Sequence, residues 1–518
     1  MSDFPFLTVL GIVPLVGALV VSLLPTARPL LAKQVALATS LAVLVLTILM
    51  CSAFVPKGQR FQFVQAHDWI KSFGVQYAVG VDGIALVLIA LVAVLVPVVL
   101  LASWGEADPA DPPAPDRRFA SPKTFFALIL ILETMMIGVF AATDIFLFYV
   151  FFEAMLIPMY FLIGQFGGPK RSYAAVKFLL YSLFGGLLML AAVIGLYVVS
   201  THQGPGTFAF AKLVDLNISE PVQIWLFLGF FIAFAIKAPL FPFHTWLPDA
   251  GAEAPVGGAV LLVGVLDKVG TFGFLRYCLP LFPAAARDLA PYIIALSVIG
   301  ILYGALLAMG QKDLKRFVSY TSVAHFGFIG LGCFAFTSQA GTGAVLYMVN
   351  HGLSTGALFL VVGFLISRGK SRLTADYSGI GKVAPVLSGT FLIAGLSSLA
   401  LPGLSTFVSE FLVLVGTFTR YPTAAVLATI GIILAALYIL ITYQKTMQGP
   451  LSAAHSAMKD LQLREVLAVA PLLALMVFLG VYPKPLTDVI TPAVNFTMHD
   501  VGAKDPAPTQ ANLSTEGR

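Results

Sequence analysis

The chain has 518 residues, of which 59% are hydrophobic and only 11% charged, and its mean hydropathy is +0.94. Soluble globular proteins carry about a quarter charged residues, so these proportions exclude that class and predict an integral membrane protein. The formal net charge of +5 does not point to nucleic acid, because the basic residues fall in short loops between apolar runs.

Apolar runs long enough to cross a bilayer, about 20 residues each, predict an all-α polytopic protein of about fourteen spans: 4–24, 31–54, 78–104, 123–141, 144–166, 174–201, 222–247, 255–279, 289–309, 313–337, 341–367, 383–418, 424–447 and 463–482. The first run follows Met1-Ser2-Asp3 with no basic leader and no small-residue cleavage site, so it reads as a retained span. Between the second and third spans, residues 59–83 alternate in part, with Phe61 and Phe63 on one side and Val75, Tyr77 and Val79 on another. That pattern predicts a small extracytoplasmic hairpin. Residues 105–121 read as a Pro-rich charged loop, 206–217 equally as a short interfacial helix or plain loop, and 483–518 as a polar, mobile tail.

Lys and Arg number 17 in the loops after odd-numbered spans and 7 after even-numbered ones. By the positive-inside rule both termini face away from the cytoplasm. Cys51, Cys278 and Cys333 are scattered through apolar segments without a CxxC pair, so they read as small buried hydrophobes, not iron–sulfur ligands. No glycine-rich nucleotide loop sits between a strand and a helix.

Lys237 stands in FLGFFIAFAIKAPLFPFHTWLPD, with Pro239 and Pro242 just after it. A charge at mid-bilayer costs roughly 2.5 to 3.5 kcal/mol on insertion scales and marks an ion or substrate path by default. Prolines cannot donate to the helix ladder, so the backbone is expected to break beside the charge. AAVKFLLYS at 174–182 resembles GAVLYMVNH at 343–351, an offset of 169, and the break at Pro239 has a counterpart at Pro402-Gly403, an offset of 163. An offset of five spans reverses the sense of crossing, which predicts two inverted five-helix repeats containing discontinuous helices. The chain then divides into an N-terminal three-helix part with the hairpin (1–122), a first repeat (123–279), a second repeat (289–447), and a last span with the tail (448–518).

Glu153, Lys237, Lys268, His325, His351 and Glu410 lie near the middles of spans or beside breaks. Taken singly, each reads about equally as structural: a Glu–Lys pair as glue, a histidine as a satisfied core residue. Six across two repeats favour a pathway. Desolvation loosens an amine's hold on its proton and a nearby carboxylate restores it, so a lysine with a movable carboxylate, Lys237 with Glu153, is an electrostatic switch. The histidines and Glu410 extend the row into a proton relay. A purely structural subunit and a haem carrier ligated by His325 and His351 are the weaker alternatives.

FFEAMLIPMYFLIG, FAIKAPLFPFHTWLPD, YTSVAHFGFIGLG, NHGLSTGALF and LPGLSTFVSEFL resemble the antiporter-like subunits of respiratory complex I and of Mrp-type cation/proton antiporters, across most of the fourteen spans. The resemblance implies that Glu153 and Lys237 are the family's glutamate–lysine pair, Lys268 its central lysine, His325 the connecting histidine and Glu410 the terminal ionisable residue. The L and N chains and Mrp D-type subunits usually carry lysine at that last position, and the 36 residues after the last span are too short for the lateral helix of the L chain. It also implies proton translocation driven by redox chemistry elsewhere in a bacterial plasma-membrane NADH:quinone oxidoreductase, with cation/proton antiport as the alternative. The expected partners are other membrane subunits, the L and N chains especially, with no cofactor on this chain and with FMN, iron–sulfur clusters and quinone on partner subunits. Two positions depart from the family. Ala250-Gly251 stands where Ala-His is usual, although His244 remains, and Asp267 precedes Lys268 where an apolar residue is usual. Adjacent helical residues point about 100° apart, so Asp267 is not required to pair with Lys268.

Overall fold

The computed structural model describes residues 4–108 and 120–506. Arg117 and Arg118 of the orientation count, Met1-Ser2-Asp3, and the end of the tail from 507 lie outside the described residues. The described chain is helical apart from one two-stranded sheet.

α1 (Phe6–Leu23) and α2 (Pro29–Ala53) lead into the hairpin of β1 (Gln62–Ile70) and β2 (Val75–Val81), paired antiparallel through a turn in which Gly74 is left-handed at φ +67°. α3 (Gly83–Ala102) and α4 (Pro122–Ala141) follow. α5 (Ile145–Ala154) and α6 (Leu156–Phe166) form one span interrupted at Met155, where Pro158 has no N–H to offer the Ala154 carbonyl. Next come α7 (Arg171–Gln203), the single turn α8 (Phe210–Leu213), α9 (Glu220–Lys237) and α10 (Leu247–Glu253). The eighth span consists of α11 (Val256–Leu261), a π-turn over 262–266, α12 (Lys268–Gly273), a second π-turn over 274–278 and α13 (Leu279–Leu281). The second half comprises α14 (Pro283–Met309), α15 (Leu314–Phe334), α16 (Ser338–Gly369), α17 (Pro385–Ser398), α18 (Ser405–Phe418) and α19 (Pro422–Met447); α20 (Leu463–Val481) and α21 (Lys484–Asp500) complete the chain.

Among the described residues, thirteen helical segments are long and apolar enough to cross a membrane. The short pair α17 and α18 supplies the broken twelfth span, so all fourteen predicted spans are present. Their starts are written locally. Asp82, Asp144, Asp313 and Thr337 cap α3, α5, α15 and α16 by accepting from backbone N–H groups one turn on, and Pro122, Pro283, Pro385 and Pro422 occupy first turns, where a missing N–H costs nothing.

Residues 484–500 are not a loose polar tail but the helix α21, which buries Ile490, Ala493, Val494, Thr497 and Met498. Its partners are distant in sequence: the Val489 carbonyl lies against Gly83, Val494 against Gly341, and Asp500 pairs with Arg60 at 2.6 Å. Polar residues on its outer face lower the average hydropathy and hide the apolar stripe. The 206–217 segment is tied down as well. Asp144 bridges Ala209, and Ile145 donates to the Phe208 carbonyl at 2.9 Å, which leaves room for only one helical turn.

Burial divides the helices into a wall and a centre. α2, α7, α19 and α20 expose apolar faces, whereas the eighth span, α15 and α16 are enclosed almost entirely. The enclosed helices carry Lys268, His325 and His351.

Candidate functional site

Glu153, Lys237, Lys268 and Glu410 each stand near an interruption of regular helix. Glu153 is the next-to-last residue of α5 and Lys237 the last of α9. Lys268 follows the π-turn, and Glu410 lies in the first turns of α18 after the break at 399–404, where Ala400 (φ +61°) and Gly403 (φ +91°) are left-handed. π-turns and broken helices free backbone groups, which inside a membrane must find protein partners. Beyond Lys237, the Trp246 indole donates to the Ile236 carbonyl at 2.8 Å. At the second break, Thr406 donates to the Ser397 carbonyl and Asn350 Nδ2 to the Ser405 carbonyl at 2.7 Å. Pro239 and Pro402 thus lie in non-helical segments whose neighbouring carbonyls are capped.

The Lys237 ammonium is buried with no hydrogen-bond partner, over the rings of Phe152 at 5.0 Å and Phe178 at 5.8 Å. Neither Glu153 nor Lys237 forms an ion pair within 4.0 Å among the described residues. The Glu153 carboxylate lies over Gly186 of α7, where a methyl group would collide with Oε1.

Asp267 and Lys268 face each other. The carboxylate Oδ1 lies 3.1 Å from Nζ, and both side chains are fully buried. The pair forms although the backbone at Asp267 is right-handed helical (φ −69°, ψ −25°); it stands just after the π-turn, and the Asp267 N–H donates to the Leu262 carbonyl, five residues back, at 3.2 Å. Lys268 Nζ also donates to the Val263 carbonyl and lies 2.6 Å from Nδ1 of His351.

From His351 the line continues through aromatic contacts. His325 stands edge-on to the His351 ring at 5.3 Å and 5.9 Å from the Tyr347 ring; neither of its nitrogens is hydrogen-bonded. Tyr347 donates to Glu410 Oε2 at 2.9 Å. Lys268, His351, His325 and Glu410 are therefore joined in one buried row, with Lys237 and Glu153 at its near end but out of contact. His244 lies off this row, packed between Phe241 at 5.8 Å and Tyr303 at 5.3 Å. Gly251, where the family usually has histidine, lets α10 approach α15 so closely that a Cβ there would lie 2.5 Å from Ser319 Oγ.

Sequence reading missed Tyr347, although it precedes His351 by one turn and therefore shares its face. It also missed the buried Asp82–Arg276 pair at 2.7 Å, and Glu133, whose two oxygens are buried without partners in ILETMMIG. Glu133 meets the criterion that singled out Lys237, a charged residue inside an apolar span.

Residues 142–437 match the family model described as NADH:quinone oxidoreductase/Mrp antiporter, TM. NADH-quinone oxidoreductase subunit M of Mycobacterium tuberculosis is 50% identical over 99% of this chain and 97% of its own length. Among solved structures, respiratory complex I from Thermus thermophilus with bound NADH contains a chain that superposes with a TM-score of 0.86 at 31% identity, covering 96% of this chain and all of that one. The Mrp complex from Dietzia sp. DQ12-45-1b superposes with a TM-score of 0.80 at 21% identity, over 94% of this chain and 52% of that one, a likeness of fold alone. The chain belongs to the NADH-quinone oxidoreductase subunit M family, the antiporter-like membrane subunits of respiratory complex I.

Proposed function

We propose that this complex I membrane subunit moves protons along Glu153, Lys237, Lys268, His351, His325 and Glu410, with Tyr347 bridging the last two. The observation that carries the reading is the run of buried contacts from Lys268 Nζ to His351 at 2.6 Å, through the edge-on packing of the His351 and His325 rings and the Tyr347 ring beside them, to the 2.9 Å hydrogen bond between Tyr347 and Glu410. Ionisable groups inside a membrane protein are expensive to bury, and a row of them spanning both halves is the arrangement of a relay. The space between Glu153 and Lys237 suits a switch: closing it holds the proton on the amine, and opening it lets the proton go.

The driving free energy comes from redox chemistry on partner subunits, which carry the FMN, iron–sulfur clusters and quinone. The L and N chains are the neighbouring membrane subunits, set against the exposed apolar flanks. The end holding the hairpin and α21 faces away from the cytoplasm of a bacterial plasma membrane, an orientation supported by the basic residues Lys33, Lys170, Lys312, Arg316 and Arg372 at the opposite end. The two halves act as inverted half-channels, a reading supported by the matching breaks after α9 and α17.

The test replaces Lys237 with Met, or Glu410 with Gln, in the assembled complex and measures protons translocated per NADH oxidised in sealed vesicles. A clear fall in that ratio is expected. A ratio equal to the parent's in both variants would refute the relay.

A further inference from the structure

An ammonium group has three N–H donors, and three acceptors converge on Lys268: the Val263 carbonyl, Nδ1 of His351 at 2.6 Å and Oδ1 of Asp267 at 3.1 Å. Of these only Asp267 brings a full countercharge. Its two oxygens are buried, and the Lys268 ammonium is the charge that faces them, at 3.1 Å. It also lies where the eighth span packs tightly on the end of α9. Gly270 approaches the Phe234 carbonyl and the Ala238 nitrogen too closely to admit a side chain, which sets the turn after Asp267 against the end of α9, where Lys237 is the last residue and its ammonium has no partner.

We infer that Asp267 is a positioning residue shared by two lysines. Paired with Lys268, it holds the proton there; drawn toward Lys237 when Lys237 becomes protonated, it lets the Lys268 proton pass to His351. In that step one N–H bond of Lys268 breaks and an N–H bond at Nδ1 of His351 forms, so the imidazole becomes imidazolium and no electrons change hands. Nε2 of His351 has no partner, and the neighbouring ring is that of His325, so this nitrogen releases the proton onward. The groups facing Lys268 are Asp267 on its own span, His351 on α16, and His325 and the Phe326 ring on α15, the ring at 5.2 Å. The inference rests on the relay proposed above and adds the part that couples its two lysines.

D267N keeps the shape of the side chain and removes its charge. In vesicles holding the assembled complex, protons translocated per NADH are followed across the neutral pH range for D267N, D267E and K268M. The expected result is an alkaline limb shifted to lower pH by about one unit or more in D267N, the parent profile in D267E, and loss of pumping in K268M. A D267N profile that superimposes on the parent's while K268M has lost pumping overturns the role of Asp267 and leaves the relay standing. An unchanged ratio in K268M overturns both. Should D267N fail to assemble, D267S is read in the same way; if both neutral variants fail while D267E assembles, the residue serves folding and the inference falls.

Discussion

Tyr347 and His351 stand one turn apart on α16 and join the two ends of the buried row: Tyr347 donates to Glu410 at 2.9 Å, and His351 receives Lys268 at 2.6 Å. A single rigid helix thus sets the distance between the central lysine and the terminal glutamate. Motion of α16 changes both contacts together.

Replacing Tyr347 with Phe keeps the ring against His325 and removes the hydroxyl. A buried acceptor left without its donor costs about 1 to 3 kcal/mol, so coupled turnover is expected to fall by roughly tenfold. NADH oxidation with an uncoupler present should fall less. Stopped-flow acidification of sealed vesicles measures the difference.

Gly186 lies beneath the Glu153 carboxylate, and G186A is expected to displace it and depress pumping while leaving assembly intact. Gly11, with nothing within 4 Å of an added Cβ, is the matched control. G11A should pump like the parent; equal effects from the two alanines would mean that helix propensity alone is responsible.

Asp82 and Arg276 form a pair that is almost wholly enclosed, with Arg276 over Phe61 at 4.8 Å and Phe272 at 5.0 Å. Removing one partner of a buried pair typically costs about 3 to 5 kcal/mol, and neutralising both costs far less. R276M should therefore be recovered poorly in the complex. D82N/R276M retains the cap on α3 and should restore most of the yield, as read by immunoblot of purified complex.

Trp246 holds the Ile236 carbonyl freed by the break after Lys237. W246F preserves the packing on Phe178 and leaves that carbonyl unpaired, a loss of about 1 to 3 kcal/mol. The temperature at which vesicles lose NADH-driven pumping should drop. Wild-type thermal behaviour in W246F would show that another donor takes over.

Composition and span length alone settled the class of this protein. Fourteen apolar runs became thirteen long segments and one broken pair, because a chain in lipid must satisfy its backbone within each segment, and that requirement is local. The breaks at Pro239 and Pro402 and the hairpin around Gly74 were legible for the same reason: proline and glycine act on their own residues. Lys237 and Glu410 were visible as charges where apolar residues belong, and Glu133 was equally visible but overlooked.

Only the tertiary structure decided which of these groups meet. Asp267 reaches Lys268 where the chain leaves a π-turn at 262–266, and the tight enclosure of the eighth span by distant helices turns both side chains to the same buried place. Glu153 stays out of contact with Lys237, and Tyr347 reaches Glu410, because contacts between spans depend on how glycines such as Gly186 and Gly270 let the helices approach. α21 looked like a tail because its apolar stripe is narrow and its partners, Arg60, Gly83 and Gly341, lie far away in sequence, Arg60 by 440 residues. Sequence determined what each segment is, since that physics acts within a few turns; packing between distant segments determined the order in which the charges are connected.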